Sequence, residues 1–460
     1  MPERSTGIRS YAAHVPAFGL ASTRFGETAP LEGARRVRST ANHDEDALTL
    51  AVEAASRVAA EADPHAPLLF ATSEPPYLDK STAATLHAAL ELPAGMAAAD
   101  VHGLRSGGGA LTLALACGGT AVLADLRTQP PGAPDELGHG DAAAAFTTTR
   151  GDGAAAVLAG AASTTQELLD RWRLPGERHA TAWDERFTAE VYAALVADAA
   201  TRALGDAGLD GAQHVVVSCA NPRAAAAARR ALGARADAEL EALTGHTGAA
   251  HLGLLLADAL DRARPGEAIL AVGAADGVDA FVLVAGDSVV AARRSVAVRE
   301  QLARRTALSY ERHLRRRRLL DLQGARRPEP AAPAAPPMLR RSRWKFGLVA
   351  ERCARCGAVA SPPGPVCAAC GAIGPGEPHA LRDRGSTVVS FTADHLSPTP
   401  DPPVVLAVVD IDGGGRRSVE VTDVPERGIA VGDRVVATFR RLHSAGGVHN
   451  YFWKVRPEAR

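Results

Sequence analysis

Four cysteines carry the most specific chemical pattern in this 460-residue chain. Cys353 and Cys356 form one Cys-x-x-Cys pair, and Cys367 and Cys370 form the second. Four thiolates close a tetrahedral shell around Zn²⁺ and leave no open ligand position, so the spacing predicts a structural metal. Iron fits the same geometry. A clustered thiol site indicates a reducing compartment rather than a disulfide framework, and we expect a cytoplasmic protein.

A second candidate site surrounds the stretch DVHGLRSGGGALTLA, Asp100 to Ala114. Residues typical of a strand lead into three glycines and then into an apolar helix. Many acyl-transfer enzymes place a reactive cysteine at such a turn, where the helix dipole favours the thiolate. This chain has Arg105 and Ser106 there. Arginine has no lone pair for attack, and its charge opposes the dipole by roughly 0.3–1 kcal/mol. Serine needs a neighbouring base.

The segments that must position these residues alternate between strand and helix patterns up to about residue 312. Sites in α/β folds collect at the carboxyl ends of strands, where the sequence places Glu74, Arg105, Ser218 and His246. Two similar halves, residues 1–162 and 163–312, predict a duplicated α/β fold. The predicted helices include DALTLAVEAASRVAAEA, STAATLHAALEL, TAEVYAALVADAATRALGDAGL and GHTGAAHLGLLLADALDRARPGE, and the predicted strands include APLLFATSE, GTAVLADL, AQHVVVSCAN and the hairpin AILAVGAADGVDAFVLVAG.

The chain beyond residue 312 changes in character. Residues 313–340 read as a basic helix followed by a Pro/Ala-rich, semi-extended spacer. The arginine run LSYERHLRRRRLLD indicates a solvated or partner-facing helix end, with phosphate binding as the alternative. Residues 341–375 hold the cysteines and predict a zinc ribbon. Residues 376–460 contain five short strands between turns, which is typical of a small β-barrel of OB type.

A family resemblance follows from several stretches taken together. ATSEPPYLDKSTAATLHAAL, with HDEDALTLAVEAA, ERFTAEVY, GHTGAAHLGLLLADALDRARPGEAIL and DGVDAF, resembles archaeal-type 3-hydroxy-3-methylglutaryl-CoA synthases over about residues 7–312. The resemblance implies the duplicated five-layer fold of the thiolase superfamily, a homodimer and an acyl-CoA thioester as substrate or ligand. Residues 341–460 resemble DUF35-type modules, a rubredoxin-like zinc ribbon plus an OB fold. Such modules accompany thiolases, which implies structural Zn²⁺ and a partner thiolase.

The resemblance also assigns site residues. The family condenses acyl groups through an acylated cysteine, a glutamate that moves a proton, and a histidine and an asparagine that orient the acceptor. Glu74 in SEPPY matches the glutamate. Arg105 stands at the cysteine, or Ser106 if the alignment slips by one residue. Ser218 in SCAN takes the histidine's place, and His246 in GHT takes the asparagine's. Three of the four chemical positions are therefore changed.

The remaining cysteines offer no replacement nucleophile. Cys117 lies about three turns along the helix from Arg105, since a turn takes roughly 3.6 residues, and we expect it to be buried among apolar side chains. Strand alternation directs Cys219 to the face opposite Ser218.

Three functions fit these observations, so whether the chain is an enzyme stays open. The first is a degenerate acyl-CoA-binding subunit whose tail docks a partner thiolase. The second is an acyltransferase-type, lyase or hydrolytic enzyme with a rewired site. In that site His246 is a base, Ser106 or Ser218 a nucleophile or oxyanion donor, Glu74 an acid/base, and Arg105 a clamp for a substrate carboxylate. The third is a nucleic-acid-binding OB protein that uses Tyr451 and its aromatic and basic neighbours.

Composition argues against the third function. A formal net charge of −1 supplies no overall field for nucleic acid or an anionic membrane. No apolar run is long enough to span a bilayer, and the first residues show no apolar signal segment. We therefore expect neither nucleic acid nor membrane among the partners.

Overall fold

The computed structural model describes residues 6–133, 135–234, 236–322 and 330–458. These residues form two compact units. The first unit comprises Met1–Ala41, Asp46–Leu86 and Leu92–Leu319, and the second comprises Asn42–Glu45, His87–Glu91 and Leu320–Arg460. None of the described helices combines the length and the apolar composition needed to cross a bilayer.

The first unit is organised around one nine-stranded mixed sheet. The strands of the whole unit are β1 (Thr6–His14), β2 (Phe18–Leu20), β3 (Arg38–Thr40), β4 (Leu68–Thr72), β5 (Ala98–His102), β6 (Thr120–Leu126), β7 (Asp141–Arg150), β8 (Ala156–Thr165), β9 (Arg171–Trp172), β10 (Thr181–Ala182), β11 (His214–Cys219), β12 (Ala268–Ala274), β13 (Gly277–Ala285) and β14 (Thr306–Ala307). The large sheet has the order β11-β12-β13-β8-β1-β7-β6-β4-β5. β14, β2 and β3 form a small sheet, and β9 pairs with β10.

The helices of this unit include the four predicted helical segments, although α4 begins before its predicted start and α7 begins after it. They are α1 (Ala47–Ala55), α2 (Thr82–Ala89), α3 (Ser106–Cys117), α4 (Glu185–Asp206), α5 (Pro222–Leu232), α6 (Ala236–Thr244), α7 (His251–Arg262), α8 (Val289–Ala292), α9 (Val298–Ala303) and α10 (Tyr310–Arg316). Short 3₁₀ turns cover Ala59–Glu61, Glu136–Gly138 and Gly248–Ala250. The end of α2 belongs to the second compact unit.

The strand pairing of the large sheet consists of two similar parts. β4, β5 and β6 are parallel and continue through β7 to β1. β11 and β12 are parallel and continue through β13 to β8. β8 pairs with β13 along its whole length, so residue 163, the start of the predicted second half, lies inside a strand of that half.

Helices α3 and α7 form the core of the first unit. Residues 251–260 of α7 are all buried, and α3 contributes Ala110, Leu111, Ala114 and Leu115 to the same apolar cluster. A helix that is buried on all sides is a core helix rather than a surface helix. The candidate residues at the start of α3 are therefore held by a rigid, tightly packed element.

Arg316 and the Arg317 side chain, in the arginine run at the end of α10, are buried, whereas Arg318 is exposed. The expectation of a solvated helix end was wrong for these two residues. The Arg317 guanidinium pairs with the fully buried Asp141 carboxylate, and Arg316 lies over the Phe18 ring at 3.9 Å from its centroid. Asp141 also accepts hydrogen bonds from the backbone N–H groups of Ala41 and Arg127. A buried carboxylate needs such partners, and the need of Asp141 for a counter-ion explains why the Arg317 side chain is buried.

The second unit contains a ribbon and a barrel. Its elements are α11 (Ala335–Arg340), α12 (Ser342–Gly347), β15 (Val349–Arg352), β16 (Val359–Ala360), β17 (Glu377–Ala380), β18 (Gly385–Asp394), β19 (Val404–Ile411), β20 (Arg416–Val421), β21 (Arg434–Ala445) and β22 (Val448–Pro457). β16-β15-β17 form the ribbon sheet, and β18-β19-β20-β22-β21 close a barrel. The predicted five-stranded barrel is confirmed.

The spacer expected over residues 324–341 is only partly described. Residues 324–329 lie outside the described residues. The extended conformation was wrong for Ala335–Arg340, which is helical. Proline is well accommodated in a first helical turn because its missing N–H would have no intrahelical partner there.

The barrel buries most of the residues on which nucleic-acid binding would depend. Tyr451 and Trp453 are 4% and 5% exposed and pack against Phe439. The buried Lys454 ammonium lies 2.9 Å from Asp44, and the buried Arg440 guanidinium lies 2.7 Å from Asp423. Side chains that are buried and already paired do not provide a stacking platform with a basic groove.

We expect Phe439→Ala to destabilise the barrel by about 3–5 kcal/mol, because Phe439 is fully buried between two aromatic rings. Urea unfolding followed by tryptophan fluorescence measures the effect. Phe391→Ala removes a ring that is 44% exposed on the same barrel and should cost much less. Equal losses in both variants would contradict the assignment of Phe439 to the core.

Candidate functional site

Arg105 lies at the N-cap of α3, immediately before the first helical residue. Two glycines in the first turn of α3 allow other parts of the chain to approach it closely. A Cβ at Gly107 would lie 2.2 Å from the Ala249 carbonyl oxygen, and a Cβ at Gly108 would lie 2.5 Å from Oδ2 of Asp279. Only glycine permits such close approaches. Gly108 thus allows a carboxylate from β13 to reach the first turn of α3, and Gly107 allows the Ala249 carbonyl to approach the same turn.

Four of the five N–H groups of the Arg105 guanidinium donate to protein atoms. Its Nε and Nη2 donate to Oδ2 and Oδ1 of Asp279 at 3.1 and 3.0 Å. Its Nη1 donates to Oγ1 of Thr165 at 2.8 Å and to the Asp276 carbonyl at 2.9 Å. Asp279 also accepts from the Ser163 hydroxyl at 2.8 Å. The hydrogen bonds to Asp279 raise the pKa of Arg105 further.

This ion pair changes the sequence interpretation in two respects. We expected Arg105 to bind a substrate carboxylate through two hydrogen bonds, but the carboxylate that it binds is Asp279 of the chain itself. The carboxylate also offsets the unfavourable charge of Arg105 at a helix N-terminus. Sequence reasoning missed Asp279, although a single carboxylate in the otherwise apolar strand GVDAFVLVA was a usable signal.

Arg105, Ser218 and His246 line one small cavity of the first unit. Asp279 and Gly108 complete the wall nearest α3. The cavity leaves about 20 Å³ free, which is space for about one water molecule. No thiol lies among the described lining residues. Three of the five predicted site residues are therefore brought together, around a space that is nearly filled.

His246 lies in a turn between α6 and α7 rather than at the end of a strand, so that placement was wrong. Its Nδ1 accepts the Gly248 N–H at 3.2 Å, and its Nε2 is buried with no hydrogen-bond partner in the described part of the chain. Its ring lies 4.2 Å from that of His251, which contacts Glu241 at 3.3 Å. Burial, and then the neighbouring His251, lower the pKa of His246 well below its usual value.

Ser106 and Ser218 have different surroundings. Ser218 lies near the end of β11 and faces the cavity, whereas Cys219 points into a separate apolar cluster, as strand alternation predicts. Ser106 is the first residue of α3 and is buried. Its hydroxyl has no hydrogen-bond partner among the described residues, and it does not line the cavity.

Glu74 follows β4 and lies outside the cavity lining. It pairs with the Arg173 guanidinium, which also donates to the Ser73 carbonyl at 2.8 Å. Burial raises the pKa of Glu74, and Arg173 opposes this rise. Next to it, Asp125 accepts from the Ser73 hydroxyl at 2.6 Å and from the Ala249 N–H at 2.8 Å. This bridge between β4 and the turn before α7 was not predicted.

The cysteine cluster has the geometry of a metal site. The four Sγ atoms all lie within 4.8 Å of one another. Cys353 and Cys370 are 3.8 Å apart, and Cys356 and Cys367 are 3.6 Å apart. A tetrahedron with Zn–S bonds of about 2.3 Å has S···S edges of about 3.8 Å. Backbone N–H groups of Cys370 and Ala369 lower the pKa of Cys367 to about 6, which favours a thiolate ligand.

Cys117 is exposed, so its expected burial was wrong. It is the last residue of α3, and its thiol donates to the Leu113 carbonyl at 2.9 Å. Helical periodicity places it beyond the apolar face that the middle of α3 buries.

We expect one zinc ion per chain in the purified protein and much less in Cys356→Ser, because the variant loses one of four ligands. Elemental analysis of metal measures the result, and an iron signal would identify the other metal that fits. Cys117→Ser is the control, since its thiol lies outside the cluster and its metal content should not change. Full metal content in Cys356→Ser would contradict a four-thiolate site.

We expect Glu74→Gln to gain stability relative to the native chain as the pH rises above about 4.5. The folded pKa of Glu74 is raised, so the folded state binds its proton more tightly than the unfolded state. The native chain therefore loses stability as the pH rises through this window. Urea unfolding at several pH values measures the difference. Glu190→Gln, which changes an exposed carboxylate of α4, is the control. An opposite slope for Glu74→Gln would mean that Arg173 dominates.

Comparisons with known proteins agree with this architecture. The family model described as the ChsH2 C-terminal OB-fold domain matches residues 379–440. A DUF35 domain-containing scaffold protein of Methanocaldococcus jannaschii is 28% identical over 118 residues, which are 25% of this chain and 83% of that protein. The hydroxymethylglutaryl-CoA synthase of Methanosphaera stadtmanae is 27% identical over 330 residues, which are 65% of this chain and 93% of that enzyme.

Solved structures give the same result for the fold. An HMG-CoA synthase complexed with CoA superimposes with a TM-score of 0.55 at 16% identity, covering 72% of this chain and 94% of that chain. The likeness confirms the thiolase-like fold predicted from the sequence. The chain thus joins a thiolase-like segment related to hydroxymethylglutaryl-CoA synthases to a C-terminal segment related to DUF35 scaffold proteins.

Proposed function

We propose that this chain is an auxiliary, scaffold-type subunit for acyl-CoA carbon–carbon bond chemistry and forms no acyl-enzyme itself. The observation that carries the proposal is the ion pair at the start of α3. The resemblance places Arg105 at the family's nucleophile position, or Ser106 if the alignment slips by one residue. Four N–H groups of the Arg105 guanidinium donate to protein atoms. A guanidinium held in this way neither attacks a thioester nor binds a substrate carboxylate.

The rest of the site supports the same role. The thiols of the described first unit are Cys117, on the surface, and Cys219, buried in another cluster. Burial raises the pKa of Cys219 to about 12, so it carries no thiolate at neutral pH. The candidate acid/base Glu74 is paired with Arg173 outside the cavity. No hydrogen bond joins the candidate nucleophile Ser218 to the candidate base His246 among the described residues of the cavity.

The C-terminal module supports a role with a partner. Its relatives are named scaffold proteins and consist almost entirely of this module. A four-thiolate site fixes the ribbon without offering an open metal position, which suits a docking element better than a catalytic one. We therefore propose structural zinc in the ribbon, a partner thiolase or synthase, acyl-CoA as ligand, and a homodimer built on the thiolase-like unit. We place the protein in the cytoplasm, where the thiols stay reduced.

An acyltransferase-type enzyme with a rewired site is the second candidate. The buried His246 Nε2 has no hydrogen-bond partner among the described residues, and it shares the cavity with Ser218. Burial keeps this imidazole neutral at physiological pH, as a general base requires. In this alternative Ser218 or Ser106 takes the acyl group and Glu74 moves a proton.

Intact-protein mass spectrometry after incubation with acetyl-CoA and acetoacetyl-CoA separates the two candidates. We expect an unchanged mass, with CoA binding detected by calorimetry on the same sample. A thiolase-superfamily enzyme with an intact cysteine is the positive control for adduct formation. An acyl adduct on this chain would contradict the scaffold role, and its loss in Ser218→Ala or Ser106→Ala would identify the nucleophile.

A further inference from the structure

We infer that the Arg105 side chain, held by Asp279, is a built-in plug that keeps acyl groups out of the cavity beneath α3. The inference rests on the proposed function only for the presence of a CoA thioester at this unit. The plug itself follows from contacts within the unit. It assigns Arg105 and Asp279 a joint role in specificity, because together they determine which ligands the cavity admits.

The first step is the position of the guanidinium. Arg105 and Asp279 both line the cavity, together with Ser218 and His246. With the arginine in place the free space is about 20 Å³. That volume holds about one water molecule and is too small for the three heavy atoms of an acetyl group. An acyl group therefore enters only where the guanidinium now lies.

The second step is the fixation of the guanidinium. Its hydrogen bonds reach two strands, β13 through Asp279 and β8 through Thr165, in addition to the Asp276 carbonyl. The Asp279 carboxylate is 3% exposed, so moving the arginine away would leave a buried charge without its counter-ion. Rotation of the side chain out of the cavity is therefore disfavoured, and the plug is part of the folded structure.

The third step is how well the Asp279 carboxylate fits a guanidinium group. Asp279 presents two oxygens to two parallel N–H groups, which is the arrangement that recognises a planar guanidinium specifically. Truncation of Arg105 at Cβ should therefore leave a site for a free guanidinium ion in this unit. A small ammonium ion has the charge but not the two parallel N–H groups of a guanidinium, so it should bind this site less well.

The first experiment is chemical rescue of Arg105→Ala by methylguanidinium, followed by thermal unfolding, with methylammonium at equal ionic strength as the control. We expect saturable stabilisation of Arg105→Ala by methylguanidinium, with about tenfold weaker binding to Arg105→Ala/Asp279→Asn. The native chain should show no saturable effect. If Arg105→Ala is unfolded in plain buffer, refolding with methylguanidinium and not with methylammonium is the expected result. Equal effects of the two ions on Arg105→Ala would overturn the plug.

The second experiment compares acetyl-CoA with free CoA by calorimetry. We expect equal affinities in the native chain and about fourfold tighter binding of acetyl-CoA to Arg105→Ala, because the opened cavity buries the acetyl methyl group. Arg230→Ala, which removes an exposed arginine from α5, should behave like the native chain. A preference of the native chain for acetyl-CoA would overturn the plug. If no variant binds CoA, the proposed CoA ligand is wrong, and the rescue experiment alone decides the plug.

Discussion

The Asp279 carboxylate is the constraint on which the candidate site depends. It lies on a buried strand, against the first turn of a core helix, where an unpaired charge would cost several kcal/mol. Arg105 supplies its counter-ion, and Ser163 supplies a further hydrogen bond. Gly108 of α3 makes room for this carboxylate, and the small cavity lies beside the ion pair. A reactive thiol at the same position would leave the carboxylate without its cation.

The packing between α3 and α7 is a second feature of the first unit. α3 and α7 are packed by apolar side chains and by close glycine contacts, none of which involves the changed positions. The Asp125 bridge joins β4 to the turn before α7 independently of Arg105. The packing of α3 against α7 and the Asp125 bridge are therefore separate from the Arg105–Asp279 ion pair.

Much of the fold was predictable because it rests on local patterns. Strand and helix periodicity located the main elements of both halves, and cysteine spacing located the ribbon. The errors have a common physical origin in long-range pairing. The Arg317 side chain is buried because its guanidinium pairs with the buried Asp141 carboxylate, far away in sequence. Asp279 escaped notice because its partner lies 174 residues away. His246 was expected at a strand end, whereas chain reversal after α6 brings it to the cavity.

The docking of α12 on the barrel determines where the C-terminal module begins. The Trp453 indole N–H donates to the Phe346 carbonyl at 2.7 Å, and the Arg417 guanidinium lies about 5 Å from the Trp344 and Phe452 rings. A fragment that starts at β15 would leave that indole without its acceptor and would remove Trp344 from beside Arg417 and Phe452. The segment that can be fused or expressed as a module therefore includes α12 as well as the ribbon sheet and the barrel.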